Sequence, residues 1–227
     1  MIKVEHIETF GFEAAVRGMR NPMNSWEKSD STYEDLCRLC GTEECVGSYI
    51  CNGQGDYIVG ENDMGLMKRL YNAGMEHRKF MRQIFVSMDI TAPLYWWKEF
   101  DTYKVGTTAN SCSTMHKIHS KEFTLDDFSH EHLCDHSIKT MQKVIDNLNI
   151  ERQNFLVSKD KWCWWQMIQL LPTSYNQKRT ITMTYENAAS MIKQRSGHKL
   201  DEWREFVETL KRLPYIAQIV GECTAEM

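Results

Sequence analysis

The sequence predicts an α/β fold in a single domain spanning 1–227, and three observations carry that expectation. A helix, a strand and a second helix follow one another between Asp63 and Phe100. A stretch from Thr180 to Tyr185 alternates threonine with apolar residues at a period of two, as a half-buried strand does. An amphipathic segment from Leu200 to Leu213 then stops before Pro214. The chain is 227 residues long, 42% hydrophobic and 26% charged, which suits one soluble domain. Roughly 70% of its unfolded surface could be buried on folding.

In chain order, Ile2 to Val16 reads as an opening strand and helix, broken by Met19-Arg20-Asn21-Pro22-Met23. Between Asn24 and Val59 the Ser, Asp, Gly and Cys content predicts irregular structure, a Cys-rich insert with one short helix around Tyr33 to Leu39. Asn62 and Asp63 are N-cap candidates for a helix that places Leu66, Met67, Leu70 and Tyr71 on one face and ends at Gly74. Ile84, Val86, Met88 and Ile90 have strand spacing. Thr91 can cap a helix with Pro93 in its first turn, where a missing N–H matters little. The run Thr107 to His116 is small and polar, either a surface loop or a ligand cradle. Phe123 to His136 leads into a helix around Ser137 to Leu148, with Asp126 and Asp127 favouring a helix start. Asp160 to Leu171, rich in tryptophan, reads as a core helix.

The net charge of -4 gives no basic footprint, so nonspecific nucleic-acid binding is disfavoured. No apolar run approaches the ~18 residues of a membrane span. Met1 to His6 lacks the apolar stretch of a secretory signal, and the expectation is a cytoplasmic protein. Eight cysteines in such a compartment are thiols. Cys37, Cys40, Cys45 and Cys51 lie close enough in sequence to close a tetrahedral zinc site, although the second pair lacks the usual C-x2-C knuckle; free thiols are the alternative. His130, His132 and His136 with Asp135 admit a metal reading, but without an H-E-x-x-H pattern they better suit a solvated helix start.

The segment Leu66 to Ser113 resembles the flavin-dependent thymidylate synthases (ThyX), in which a helix ending in Gly, a strand and an Ala-Pro helix lead into an R-H-R-x7-S-x-R motif. Ala92-Pro93 matches the Ala-Pro, and Lys104, Asn110 and Ser113 fit the last Arg of R-H-R, the internal Asn and the Ser. Thr102 and Tyr103 replace the first Arg and the His, Met115 stands at the final Arg, and the spacing from Lys104 to Ser113 is one residue longer. Leu171-Pro172, the Thr-rich strand, Asn187-Ala188-Ala189-Ser190-Met191 and Arg195 resemble a second block, with Ala189 in place of an Arg.

The resemblance implies an antiparallel-rich sheet with packed helices, a homotetramer with sites between subunits, and reductive methylation of a pyrimidine nucleotide, dUMP to dTMP. FAD would be the cofactor, with NADPH and methylenetetrahydrofolate as co-substrates. No protein nucleophile is needed, so the site should consist of cations and hydrogen-bond donors. Arg195, Ser113, Lys178, Arg179 and Glu99 are the nucleotide-binding candidates, Glu99 standing where the family has a Gln. Lys104, Thr108, Asn110, Asn187 and His77 are the cofactor-binding candidates, with His116 near the same segment. Arg195 also suits a solvated helix end. Two alternatives stand beside the enzyme: a catalytically inactive nucleotide-binding protein of the same fold, and a structural protein whose cysteines hold zinc.

Overall fold

The structure, a computed structural model, describes residues 2–34 and 56–221. Cys37, Cys40, Cys45 and Cys51 lie outside the described residues, as does most of the short helix expected around Tyr33 to Leu39. In chain order the elements are β1 (Lys3–Phe10), α1 (Phe12–Arg20), β2 (Thr32–Tyr33), β3 (Tyr57–Ile58), α2 (Glu61–Ala73), β4 (Phe85–Pro93), α3 (Leu94–Phe100), β5 (Thr107–Ser111), α4 (Asp135–Ser158), α5 (Lys161–Leu170), β6 (Asn176–Thr184), α6 (Tyr185–Arg195), α7 (Asp201–Lys211) and α8 (Ile216–Val220). Two compact units result, one from Met1–Glu8, Ser87–Met183 and Met191–Thr209, the other from Thr9–Val86, Thr184–Ser190 and Leu210–Met227. No described helix is long and apolar enough to cross a membrane.

The first unit holds the body of a four-stranded sheet in the order β1-β4-β6-β5. Alternation sets its faces: Met88, Ile90, Ile181 and Met183 are buried, whereas Ser87, Asp89, Thr180 and Thr182 point to the polar side. There the Thr180 hydroxyl donates to Asp89 Oδ1 at 2.6 Å and Thr182 donates to Ser87 at 3.2 Å. The run read as a loop or cradle is in its first half a strand. β5 pairs antiparallel with β6, Thr108 opposite Thr182 and Asn110 opposite Thr180. Ladder bonds come from the backbone, so an edge strand forms here without apolar alternation to announce it.

Thr91 does not cap α3, nor does Pro93 sit inside its first turn. Both remain in β4, and Pro93 is itself the N-cap, extended at φ -67 and ψ 151. A residue preceding proline avoids the helical region, which carries the strand through Ala92. α3 then buries Trp96, Trp97 and Phe100. As expected, α7 buries Trp203, Phe206 and Val207, and Trp96 packs against Trp203 and Phe206 with ring centroids 4.8 and 5.3 Å apart.

A further apolar cluster in this unit joins Ile118, Phe123, Phe128, Ile145, Leu148 and Met167. α4 runs ten residues past Leu148, to Ser158, because α5 packs along it and the chain meets no breaker before Lys159 adopts the left-handed region at φ 57. α5 is not the core helix its composition suggested. Of its side chains Met167 alone is fully buried, while Trp162 is 69% exposed. Three tryptophans in four positions cannot share one helical face.

In the second unit α1 buries Phe12, Ala15, Val16 and Met19, the expected opening helix. Gly11 precedes it at φ 96, where an added Cβ would lie 2.1 Å from the Gln83 carbonyl oxygen. Tyr33 belongs to a strand rather than a helix, paired with Tyr57 of β3. α2 starts two to three residues earlier than Asn62 and Asp63 suggested, with Gly60 as N-cap. Asp30 supplies the cap from outside: its carboxylate accepts from the Asn62 and Asp63 N–H groups at 2.8 and 3.1 Å. Asp63 is instead wholly buried and pairs with Arg20 at 2.6 Å. Gly74 ends α2 at φ 125, as expected. The short α8 was not anticipated; it begins after Pro214, at Tyr215 with φ 61.

Candidate functional site

Two groups of chemistry-bearing side chains lie in the first unit. The first is built on α3 and the end of α6. Arg195 Nη1 lies 2.6 Å from Glu99 Oε2, and its Nε donates to the Tyr103 hydroxyl oxygen at 3.1 Å. The guanidinium carbon sits 4.7 Å from the centroid of the buried Trp203 ring, a cation–π contact. His198 Nε2 lies 3.1 Å from the same Glu99 oxygen, and the Tyr103 hydroxyl donates to Gln194 at 2.8 Å. Glu99 therefore matches the charge of Arg195. A phosphate at this guanidinium would have to compete with that carboxylate.

The second group lines a cleft of about 530 Å³ formed by Thr91, the segment from Cys112 to Asp127, and Tyr175 to Lys178. Ser113 and Lys178, distant in sequence, meet here. Ser113 Oγ accepts from the His116 and Met115 N–H groups at 2.8 and 3.3 Å, which folds the chain back and leaves its own hydroxyl proton available to an acceptor. Lys178 lies 2.9 Å from Asp89 and 4.0 Å from Glu5. The Asp89 hydrogen bond raises the Lys178 pKa, and hydrogen bonds from Thr180 and Lys178 lower that of Asp89, so the pair is ionised at neutral pH. Phe123 and Tyr175 form an aromatic end, their centroids 6.3 Å apart. The Asn176 Oδ1, in the same wall, is buried without a hydrogen-bond partner among the described residues.

The remaining expected residues are dispersed. Arg179 is a clamp, held by Asp101 at 2.7 Å and Gln177 at 3.0 Å over the Trp97 ring. Lys104 borders a hollow of about 220 Å³ with Phe100, Asp101, Tyr103, Thr107 and Ala109. Thr108 and Asn110 are exposed on β5, and His116 is exposed beyond it. Asn187 and His77 belong to the second unit, where the Asn187 N–H donates to Thr184 and exposed His77 stands 3.9 Å from Glu76. Among the described residues no three His, Cys, Asp or Glu side chains gather as a metal site; His132 instead meets Asp201 at 3.0 Å. Sequence reading missed Lys117, Phe123, Tyr175 and Asn176. Nothing local marks them, since the isolated bridge from Phe128 to Tyr175 is what joins their segments.

No family model matches the chain, and no curated protein matches it. Among solved structures, thymidylate synthase X (ThyX) from Helicobacter pylori with FAD and dUMP is similar over 100% of both chains, with a TM-score of 0.65 at 15% identity. Another structure, the flavin-dependent thymidylate synthase ThyX from Helicobacter pylori complexed with FAD and dUMP, covers 96% of this chain and 97% of that chain, with a TM-score of 0.63 at 15% identity. At this identity the likeness is one of architecture: the chain has a ThyX-like α/β fold.

Proposed function

We propose that the chain binds a pyrimidine nucleotide in the cleft bordered by Ser113 and Lys178 and, with FAD, methylates it reductively, as in the conversion of dUMP to dTMP. The observation that carries this reading is the cleft: its volume suits a small ligand, and it combines an aromatic end with hydroxyls and ammonium groups. The full-length likeness to structures holding FAD and dUMP supports the same choice of ligands. In this reading Ser113 donates to the nucleotide, Lys178 contributes field while fixed by Asp89, and Phe123 and Tyr175 exclude water from the ring. Arg195 and Glu99 act as a pair, with Arg195 reaching a nucleotide oxygen only where Glu99 releases it.

The donor set on β5 and just before it fits FAD in chemical type. Lys104, Thr108 and Asn110 are exposed and make no side-chain hydrogen bond or ion pair among the described residues, so a cation and two directional groups are available to a diphosphate and a ring edge. When bound, the flavin would supply hydride, with methylenetetrahydrofolate as carbon donor and NADPH as reductant. Asn187 and His77 lie in the second unit and are not assigned to this site. The protein is proposed to be a cytoplasmic homo-oligomer without a nucleic-acid partner.

A second reading is favoured by the Glu99–Arg195 pair and by Tyr103 and Lys104 at the motif: a nucleotide-binding protein of this fold without catalysis. Absorbance of the purified protein in the oxidised flavin bands, followed by calorimetry with dUMP, separates the two. A yellow protein that binds dUMP supports the enzyme; a colourless one that takes up no added FAD yet binds dUMP supports the second reading. Failure to bind either ligand rejects both, and stoichiometric zinc without flavin would then point to the cysteines.

A further inference from the structure

Three ammonium groups, those of Lys117, Lys121 and Lys178, line the cleft. Two are already neutralised. Lys121 pairs with Asp127, which also caps its own turn through Thr124, and Lys178 pairs with Asp89. Lys117 makes no ion pair or side-chain hydrogen bond among the described residues. The remaining carboxylate of the lining, Asp126, is exposed. An ammonium without a counter-ion at the rim of a cleft with an aromatic end is the group free to meet an anion.

Local geometry explains why position 117 rather than 115 takes this place. Met115 is 43% exposed, and its carbonyl oxygen is bound by Trp164 Nε1 at 2.8 Å. The turn closed on Ser113 Oγ ends at His116, so Lys117 is the first cation after it, and it lines the same cleft as Ser113. We propose that Lys117 binds the 5′-phosphate of a pyrimidine nucleoside monophosphate whose ring lies toward Phe123 and Tyr175. Asn176 Oδ1, unpaired among the described residues, is the acceptor a ring N–H satisfies once the amide turns toward it. This inference rests on the nucleotide reading above and adds to it the residue that selects the phosphorylated form.

Calorimetric titration of the full chain with dUMP, deoxyuridine and inorganic phosphate tests it, in the wild type and in Lys117→Ala and Lys117→Arg. The wild type should prefer dUMP to deoxyuridine by about tenfold to a hundredfold, the worth of a charge-assisted contact. Lys117→Ala should abolish that preference while leaving deoxyuridine affinity and the melting temperature unchanged, because Lys117 is exposed. Lys117→Arg should retain it. If Lys117→Ala binds dUMP like the wild type, the assignment of Lys117 falls and the nucleotide reading survives. If the wild type binds neither dUMP nor deoxyuridine, both fall. Phosphate binding as tightly as dUMP would also overturn the proposal, since the cleft would then be a plain anion site.

Discussion

Asp63 holds its charge in a fully buried position because five donors converge on its carboxylate. Arg20 donates to one oxygen, while the Ser29 and Ser31 hydroxyls, at 2.7 Å, and the Asp30 and Ser31 N–H groups, at 3.1 Å, donate to the other. Burial alone would raise its pKa, but the hydrogen bonds from Ser31, Ser29 and Arg20 outweigh burial and lower it. Asp63→Ala leaves Arg20 buried and uncompensated, and should destabilise the fold by about 3–5 kcal/mol in urea titration. The depressed folded-state value also fixes a sign. The stabilisation is complete above the unfolded carboxyl value of about 3.9 and is lost as pH falls through the lower folded value. Melting temperatures should therefore converge for wild type and Asp63→Asn only on the acid side. Sequence reading took Asp63 for a cap because its donors, at positions 20 and 29–31, are brought to it by tertiary structure. Arg195 was singled out in the sequence as a phosphate ligand, and its pairing with Glu99 was not foreseen. With Glu99 and Trp203 around it, Arg195→Ala should lower stability by about 1–2 kcal/mol from the lost ion pair and ring contact. A fall in dUMP affinity of about 1.5–3 kcal/mol at unchanged stability would instead make Arg195 a phosphate ligand.

At the level of elements, legibility followed periodicity. β4, β6 and α7 carry apolar residues at strand or helix spacing, and each buries the face that the spacing selects. β5 has no such signal: Thr107, Thr108, Ala109, Asn110 and Ser111 form a strand by pairing with β6, so the sequence offered a polar loop. α5 failed in the opposite direction, since tryptophan content suggested burial that a single contact face cannot give. The contrast can be measured. Met167→Ala should cost about 2–5 kcal/mol, as for a filled core site, whereas Trp162→Ala should stay within about 0.5 kcal/mol. Equal losses from the two, in chemical denaturation, would show that Trp162 is covered in solution and that its face belongs to an interface.

For the whole molecule, the question is whether the groups proposed to hold a cofactor suffice in one copy of the chain. The hollow at Lys104, about 220 Å³, is smaller than the sites that enclose even drug-sized ligands, roughly 300–1,000 Å³. Thr108 and Asn110 lie open on an edge strand. If FAD binds, it needs more wall than this strip gives, and a symmetric assembly of identical chains is the simplest source. Light scattering at micromolar concentration should then give four times the 26.7 kDa chain mass, and dilution that dissociates the assembly should weaken FAD binding in step. The residue at the motif sets a second dependence. Lys104 attracts a phosphate as a point charge, without the planar fork of Arg, and it is exposed, so FAD affinity should fall from low to high salt. A clean monomer that binds FAD tightly at both salt concentrations would overturn the shared site and the role of Lys104 together. Salt-insensitive binding by a tetramer would keep the assembly and move the cofactor to other residues.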